Sequence, residues 1–299
     1  MAILIDGSTR IVIQGITGTN GFNTASRLLS EGMPFYGGVS RTGVGKEVAG
    51  VPIFASCYEA VNEVGANASF LSVPANAAID AALEAMDAGI RILVVYAEGV
   101  PIKDAIRMTS YARMKGCHLL GPNAAGCVSP GLANLSDLNA ALLRPGRIGV
   151  VSKSGTLSYE VIDELNRNGL GQSSIVCLGG DPVIGLSHSD VLALFEEDDN
   201  TDAVVLVGEI GGRSELKAAQ FVRKAKKPVI AYIAGKKAPP GKRMGHAGAL
   251  MGVEEENAQA KEKALRAAGA IVVDTLLEIG TAIGQALESR DESKGPSSA

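Results

Sequence analysis

The sequence contains no tryptophan and few aromatic residues of any kind, six tyrosines and six phenylalanines in 299 residues. It therefore lacks the stacking platforms that single-stranded nucleic acid needs. With 28 Lys and Arg against 32 Asp and Glu, a formal charge of -4, it also lacks a basic surplus for phosphate backbones. Nucleic acid is not an expected partner. No segment offers about 18 uncharged apolar residues in a row, and the opening "MAILIDGSTR" has neither a cationic leader nor a long apolar stretch. The expectation is a soluble, unexported, cytoplasmic protein with no membrane segment. Cysteine is scarce and scattered: Cys57, Cys117, Cys127 and Cys177 form no C-x-x-C pair, and the three histidines do not cluster with them. That argues against zinc and disulfides and for a reducing compartment, so no metal site is expected on this chain.

What the sequence does have is alternation. Short apolar runs rich in β-branched residues, at 11–13, 35–39, 69–73, 91–96 and 117–120, are separated by segments of helical period such as "NAAIDAALEAMDAG". This is the pattern of a parallel, doubly wound α/β unit. A second series follows at 147–151, 173–177, 202–208, 228–234 and 270–274. The chain exceeds the usual length of one domain. Two α/β domains are expected, residues 1–130 and 147–288, with 131–146 ("GLANLSDLNAALLRPG") as the connection and the polar tail 289–299 disordered.

In the first unit, "IVIQGITGTNG" sets Gly15, Gly18 and Gly21 between a strand and a helix. Glycine there lets backbone amides approach a phosphate at the positive end of the helix. The same glycines fit a plain strand-to-helix turn. After the next strand, "GGVSRTGVGK" offers Ser40, Arg41 and Lys46 where an NAD site commonly has an acid. The cations suit a ribose bearing a phosphate, as in NADP or coenzyme A, and also fit a solvated basic loop.

In the second unit, "SKSGT", "GGDP" and "GEIGG" end successive strands, where open α/β sheets gather their ligands. Ser152, Ser154 and Thr156 around Gly155 make either an anion cradle at a helix start or an ordinary N-cap. Glu209, between glycines, can take the Nδ1 proton of an imidazole and leave Nε2 as the nucleophile. His246, in "KKAPPGKRMGHAGAL", stands on a loop carrying Gly241, Gly245 and Gly248, with Lys242 and Arg243 behind it. The pattern fits a mobile phosphoryl carrier, with a plain surface histidine as the simpler alternative. His118 and His188 read as structural. There is no G-x-x-x-x-G-K-[ST] anywhere, because the glycine it needs is Ser40 before Gly45-Lys46 and Lys236 before Gly241-Lys242. A phosphate carrier with no nucleotide site of its own points to a partner subunit.

With "GITGTNG", "YAEGVP", "GPNAAG", "VSKSGTLSYE", "GGDP", "GEIGG" and above all "GKRMGHAGA" in view, the chain resembles the α subunits of the succinyl-CoA synthetase family over about residues 1–285. The resemblance implies a CoA-binding Rossmann-like domain followed by a flavodoxin-like ligase domain. It further implies an ATP-grasp β subunit, in a heterodimer or heterotetramer, that holds ATP or GTP with magnesium. By motif, His246 would be the phosphohistidine and Glu209 its carboxylate partner. Thr17, Gly18, Thr19 and Asn20 would line the CoA phosphates, with Tyr96, Ala97 and Glu98 beside the cofactor and Arg41 or Lys46 at its ribose phosphate. Ser154, Gly155 and Thr156 would open the phosphate-binding helix, and Tyr159 would lie near the small acid substrate.

Three departures bear on that acid. The family's P-N-C-P-G is Pro122-Asn123-Ala124-Ala125-Gly126 here, its T-P-G-K-G-G turn is "SRTGVGK", and its G-H-I-H-K-P-G is "AALLRPG", while Lys236 and Lys237 add charge expected near the histidine. Succinate, malate or a sulfonated analogue all fit as substrate. A non-catalytic CoA-binding regulatory subunit and an NADP-dependent oxidoreductase are the rival readings.

Overall fold

A computed structural model describes residues 2–48, 50–239, 244–250 and 253–293. The first sheet comprises β1 (Ile11–Gln14), β2 (Gly37–Val39), β3 (Glu47–Val48), β4 (Val51–Phe54), β5 (Ala68–Leu71), β6 (Ile92–Val95) and β7 (His118–Leu120). Its order is β3-β4-β2-β1-β5-β6-β7, parallel except that β3 runs against β4. With the β3 hairpin set aside, this is the 3-2-1-4-5-6 order of a Rossmann unit. The helices α1 (Thr19–Ser30), α2 (Cys57–Val64), α3 (Ala78–Asp87) and α4 (Ile102–Lys115) connect the parallel strands. β1, β5 and β6 are buried throughout, as strands covered on both faces must be.

The second sheet contains β8 (Gly126–Ser129), β9 (Ala133–Ser136), β10 (Pro145–Ser152), β11 (Gln172–Cys177), β12 (Ala203–Glu209), β13 (Val229–Ala234) and β14 (Ile271–Val272). Its order is β14-β13-β12-β10-β11-β8-β9. The five later strands are parallel in the 2-1-3-4-5 flavodoxin-like order. They are covered by α5 (Gly155–Arg167), α6 (His188–Glu197), α7 (Ser214–Val222), α8 (Ala258–Ala267) and α9 (Ile279–Ser293).

Two sequence expectations need correction. The second sheet begins at Gly126, ahead of the connection expected at 131–146, because β8 and β9 form an antiparallel hairpin that pairs β8 with β11. The tail is also ordered further than expected. α9 runs through Ser289 and Arg290 to Ser293, held where the Arg290 guanidinium donates to the carbonyl of Asp202 at 3.2 Å and the Ser289 hydroxyl to that of Gln285 at 2.8 Å.

The loop 121–125 lies between the two sheets and is fixed by backbone hydrogen bonds to both. Gly121 N donates to Leu178 O and Gly180 N to Asn123 O on one side, while Asn123 N donates to Ala97 O and Ala124 N to Val95 O on the other. The C-terminal ends of both sets of parallel strands therefore open toward a shared seam.

Candidate active site at the domain seam

The switch point of the second sheet falls between β10 and β12, whose C-terminal ends carry Ser152 and Glu209. Glu209 ends an all-buried strand, and its side chain is 9 % exposed. Its Oε2 accepts from His246 Nδ1 at 2.7 Å, and its Oε1 faces the ammonium of Lys153 at 3.6 Å. The hydrogen bond to Glu209 is the main reason the imidazolium of His246 persists above the ordinary histidine value. Burial and Lys153 act against it, and Glu98 acts with it.

The histidine turn is packed against the rest of the domain. Gly248 N donates to Gly180 O at 2.8 Å, and Met244 N and Ala249 N close the turn on Ala249 O and His246 O. A methyl group on Gly180 would collide with the imidazole, and one on Gly211 (φ +83°) with the carbonyl of Gly248. Those two glycines form the bed on which the turn rests. Gly245, at φ +78°, has open space around it. Gly241, Lys242 and Arg243 lie outside the described residues.

His246 lines a cavity of about 430 Å³ together with Asn20, Tyr96, Ala97, Glu98, Asn123, Ala124, Ala125, Gly155, Thr156 and Tyr159. Most of the residues singled out in the sequence are thus brought to one place from both domains. Ser154 stands apart: its hydroxyl accepts from Leu157 N at 3.2 Å as an N-cap, and the cavity is lined instead by the next two residues of the first turn. Asn123 holds φ +59°, which turns this wall of the cavity between the sheets.

The remaining members of the phosphate loop are separate. Thr17, Gly18 and Thr19 are exposed. Gly18 begins α1 with no side-chain cap, which leaves the positive end of that helix open to an anion. Gly15 and Gly21 are required by the turn itself, since a methyl group on Gly15 would meet the carbonyl of Ser72 and one on Gly21 that of Gly15. Arg41, 87 % exposed and 3.7 Å from Glu84, lines a second cavity of about 360 Å³ beside Gly15 and Ser40. Lys46 is exposed and lines neither cavity.

Lys236 does not add charge to the histidine. Its ammonium is committed instead to Glu262 on α8 and Asp274, each at 2.7 Å. Lys237 is exposed. His188 is fully buried, with Nδ1 accepting from the Ser214 hydroxyl at 2.9 Å and Nε2 donating to Val207 O at 3.2 Å, and burial holds its imidazolium below the usual range. His118 begins β7 with its side chain exposed, while the rest of that strand is buried.

Several residues here went unnoticed in the sequence. Asp137 lines the main cavity, accepts from Tyr96 OH at 3.1 Å through its carboxylate and from Tyr159 OH at 3.4 Å through its carbonyl. Lys153 was hidden inside a motif read for its hydroxyls. Lys261 and Glu215 form a fully buried ion pair at 2.5 Å beside Glu209. Nothing in their local sequence marks them, apart from a charge placed on the inner stripe of an otherwise ordinary helix.

The comparisons with known proteins match this division. A CoA binding domain family model matches residues 6–99 and a CoA-ligase family model matches 151–271. Among solved structures, ATP citrate lyase from Methanothrix soehngenii, in complex with citrate and coenzyme A, superposes with a TM-score of 0.87 at 24 % identity. The superposition covers 99 % of this chain and 52 % of that one, so the chain spans about half the length of the lyase and the likeness is one of fold. An acetyl-coenzyme A synthetase from Ca. Korarchaeum cryptofilum shares the fold at a TM-score of 0.70 and 19 % identity, over 93 % of this chain and 61 % of that one.

Sequence relatives go further. The succinate–CoA ligase [ADP-forming] subunit alpha 2 of Archaeoglobus fulgidus is 47 % identical over 96 % of this chain and 100 % of its own. The corresponding α subunit of Aquifex aeolicus is 45 % identical over 96 % and 95 %. Identity at that level over nearly the whole length of both chains leaves one conclusion: the chain belongs to the α-subunit family of ADP-forming succinate–CoA ligases, which are acid–thiol ligases.

Proposed function

We propose that the protein is the α subunit of an NDP-forming acid–CoA ligase in which His246 carries phosphorus between a partner's nucleotide and a small acid. The observation that carries this reading is the 2.7 Å contact between His246 Nδ1 and Glu209 Oε2, with the imidazole facing a cavity built by both domains. Glu209 takes the Nδ1 proton, which leaves the lone pair of Nε2 to attack the terminal phosphorus of the partner's nucleotide as its bond to the departing nucleoside diphosphate breaks. The phosphoryl group then passes to the carboxylate of the acid, whose acyl phosphate is opened by a thiol with release of phosphate. At that stage the opening turn of α5, at Gly155 and Thr156, offers amide hydrogens and partial positive charge to the transferred group.

When bound, coenzyme A would supply that thiol, and ATP or GTP with magnesium on an ATP-grasp β subunit would supply the phosphoryl group. The residues present fit a CoA phosphate: the uncapped start of α1 at Thr17, Gly18 and Thr19 can receive it, Asn20 reaches the main cavity, and Arg41 stands over the second one. Lys46 is free to close on the ribose phosphate from solvent. Tyr96, Ala97, Glu98, Asn123, Ala124, Ala125 and Tyr159 would surround the reacting acid and thiol. Ala124 and Ala125 shorten the side chains at the wall where the family carries Cys and Pro, so the acid is succinate, malate or a sulfonated analogue. No helix among the described residues is long and apolar enough to cross a membrane.

The test is phosphorylation. The αβ complex incubated with γ-labelled ATP is expected to carry acid-labile, base-stable label on this chain. Label that survives in His246→Asn removes the assignment. A panel of acids assayed with the same complex then identifies the substrate.

A further inference from the structure

Behind Glu209 lies a cluster of buried charges whose bookkeeping is uneven. Lys261, with no exposed side-chain surface, places its ammonium 2.7 Å from Glu209 O, 2.6 Å from Gly211 O and 2.5 Å from Glu215 Oε2, so its three hydrogens are all spent. Glu215 is spent as well, since its other oxygen, Oε1, accepts from Glu209 N at 3.2 Å. This pair clamps the backbone of Glu209 at both its N–H and its carbonyl but makes no hydrogen bond to the Glu209 carboxylate, which Lys261 reaches only through space. Of that carboxylate's two oxygens, Oε2 depends on His246. Oε1 is buried without a hydrogen bond and has Lys153 at 3.6 Å.

Lys153 is itself only 7 % exposed, at the turn between β10 and α5, and its ammonium forms no hydrogen bond among the described residues. Its charge also acts on the buried Glu215 carboxylate, the partner of Lys261. Glu98 faces the imidazole from the loop after β6. Glu215 on α7 and Lys261 on α8 are mutually paired, and His188 on α6 has both ring nitrogens occupied. Asp181 and Asp190 line the cavity on the other side of Lys153 together with Arg113, Arg213 and Lys217. Asp190 is committed to the cap of α6.

We propose that Lys153 is a positioning residue: its ammonium is the resident counter-charge of Glu209, balancing that carboxylate whenever the imidazole of His246 departs. The inference rests on the phosphohistidine reading, in which His246 must leave Glu209 to meet a nucleotide elsewhere. Without Lys153 the carboxylate would have no ion-pair partner of its own in a buried site each time the loop swings out, at considerable cost. It would then draw the imidazole back in its protonated form. Lys153 therefore favours both release of the loop and the neutral, nucleophilic ring.

The test uses the αβ complex with Lys153→Met and Lys153→Arg, reading the rate of His246 labelling against pH. Lys153→Met is expected to move the acid limb about one unit to higher pH, a roughly tenfold loss of rate on that limb, and to lower the rate at high pH as well, because the neutral ring must also leave an unbalanced carboxylate. Lys153→Arg is expected to restore the wild-type limb. A melting curve and an NMR titration of the His246 ring accompany each variant, the ring of Lys153→Met holding its proton to higher pH. An unmoved limb and ring titration in folded Lys153→Met overturns the proposal, whatever the loss of rate at high pH. Should Lys153→Met fail to fold, Lys153→Gln takes its place; failure of all three to fold makes Lys153 a core residue and overturns the proposal equally. Absence of label on wild-type His246 sinks the parent reading alone, because the ring titration still reports whether Lys153 opposes the charge on the pair.

Discussion

At the scale of single residues, the contact between His246 and Glu209 has opposing effects on stability and on reactivity. The bond to Glu209 keeps the imidazolium above the usual histidine range. In stability the sign is that of any group whose folded value is raised: the protonated pair contributes fully below about pH 6.5, and its contribution is lost as pH rises through the higher folded value. Nucleophilicity runs the other way, since only the neutral ring attacks phosphorus. Glu209→Gln keeps the shape and removes the charge. It is expected to shift the acid limb of labelling to lower pH while lowering the maximal rate by about tenfold or more, as read from label incorporation across pH 5 to 9 at about half-unit steps. An unchanged limb would mean that Glu209 does not face the ring in solution. This pair was legible in the sequence because glycines flank both partners and a carboxylate ends an apolar strand. Asp137 and Lys153 were not, since each acquires its meaning from a residue far along the chain: Asp137 from Tyr96, and Lys153 from Glu209.

At the scale of elements, the buried pair Lys261–Glu215 joins α8 to α7 and both to the end of β12. Removing one partner strands an uncompensated charge in the core, at a cost of about 3–5 kcal/mol, whereas replacing both by apolar residues of similar volume is close to neutral. Lys261→Met is thus expected to lower unfolding stability in urea by about that amount, and Lys261→Met combined with Glu215→Leu to recover most of it. Recovered stability without recovered labelling is the expected signature of the clamp, because the apolar pair no longer grips the backbone of Glu209. The parallel strands and their helices were readable from apolar runs alternating with helical period. The two hairpins, β3 with β4 and β8 with β9, were not. Both are short and antiparallel, and β8 and β9 are all-buried runs of small and polar residues that show no alternation of hydrophobicity.

At the scale of the whole molecule, alternation of strands and helices foretold two doubly wound units but not which strands would be neighbours, and hence not that the ends of β6 and β7 meet the switch point of the second sheet at one seam. The seam is a set of backbone hydrogen bonds. Gly185 N donates to Gly121 O at 2.9 Å and Leu186 N to Leu119 O at 2.8 Å, tying the loop after β11 to the end of the first sheet. Gly185 has no room for a side chain, since a methyl group there would collide with the carbonyl oxygen of Leu119, a backbone atom that cannot rotate away. Gly185→Ala is therefore expected to wedge the two domains apart. The strain should amount to about 1–3 kcal/mol, seen as a fall of a few degrees in Tm. Its functional signature should divide the reaction. His246 and Glu209 both belong to the second domain and should still accept label from ATP, whereas thioester formation, for which the proposed function sets Tyr96 and Asn20 of the first domain against the His246 turn, should drop by about tenfold or more, since misplacement by an ångström is costly. Equal losses in labelling and in thioester formation would show that the seam does not set the distance between the two halves of the site.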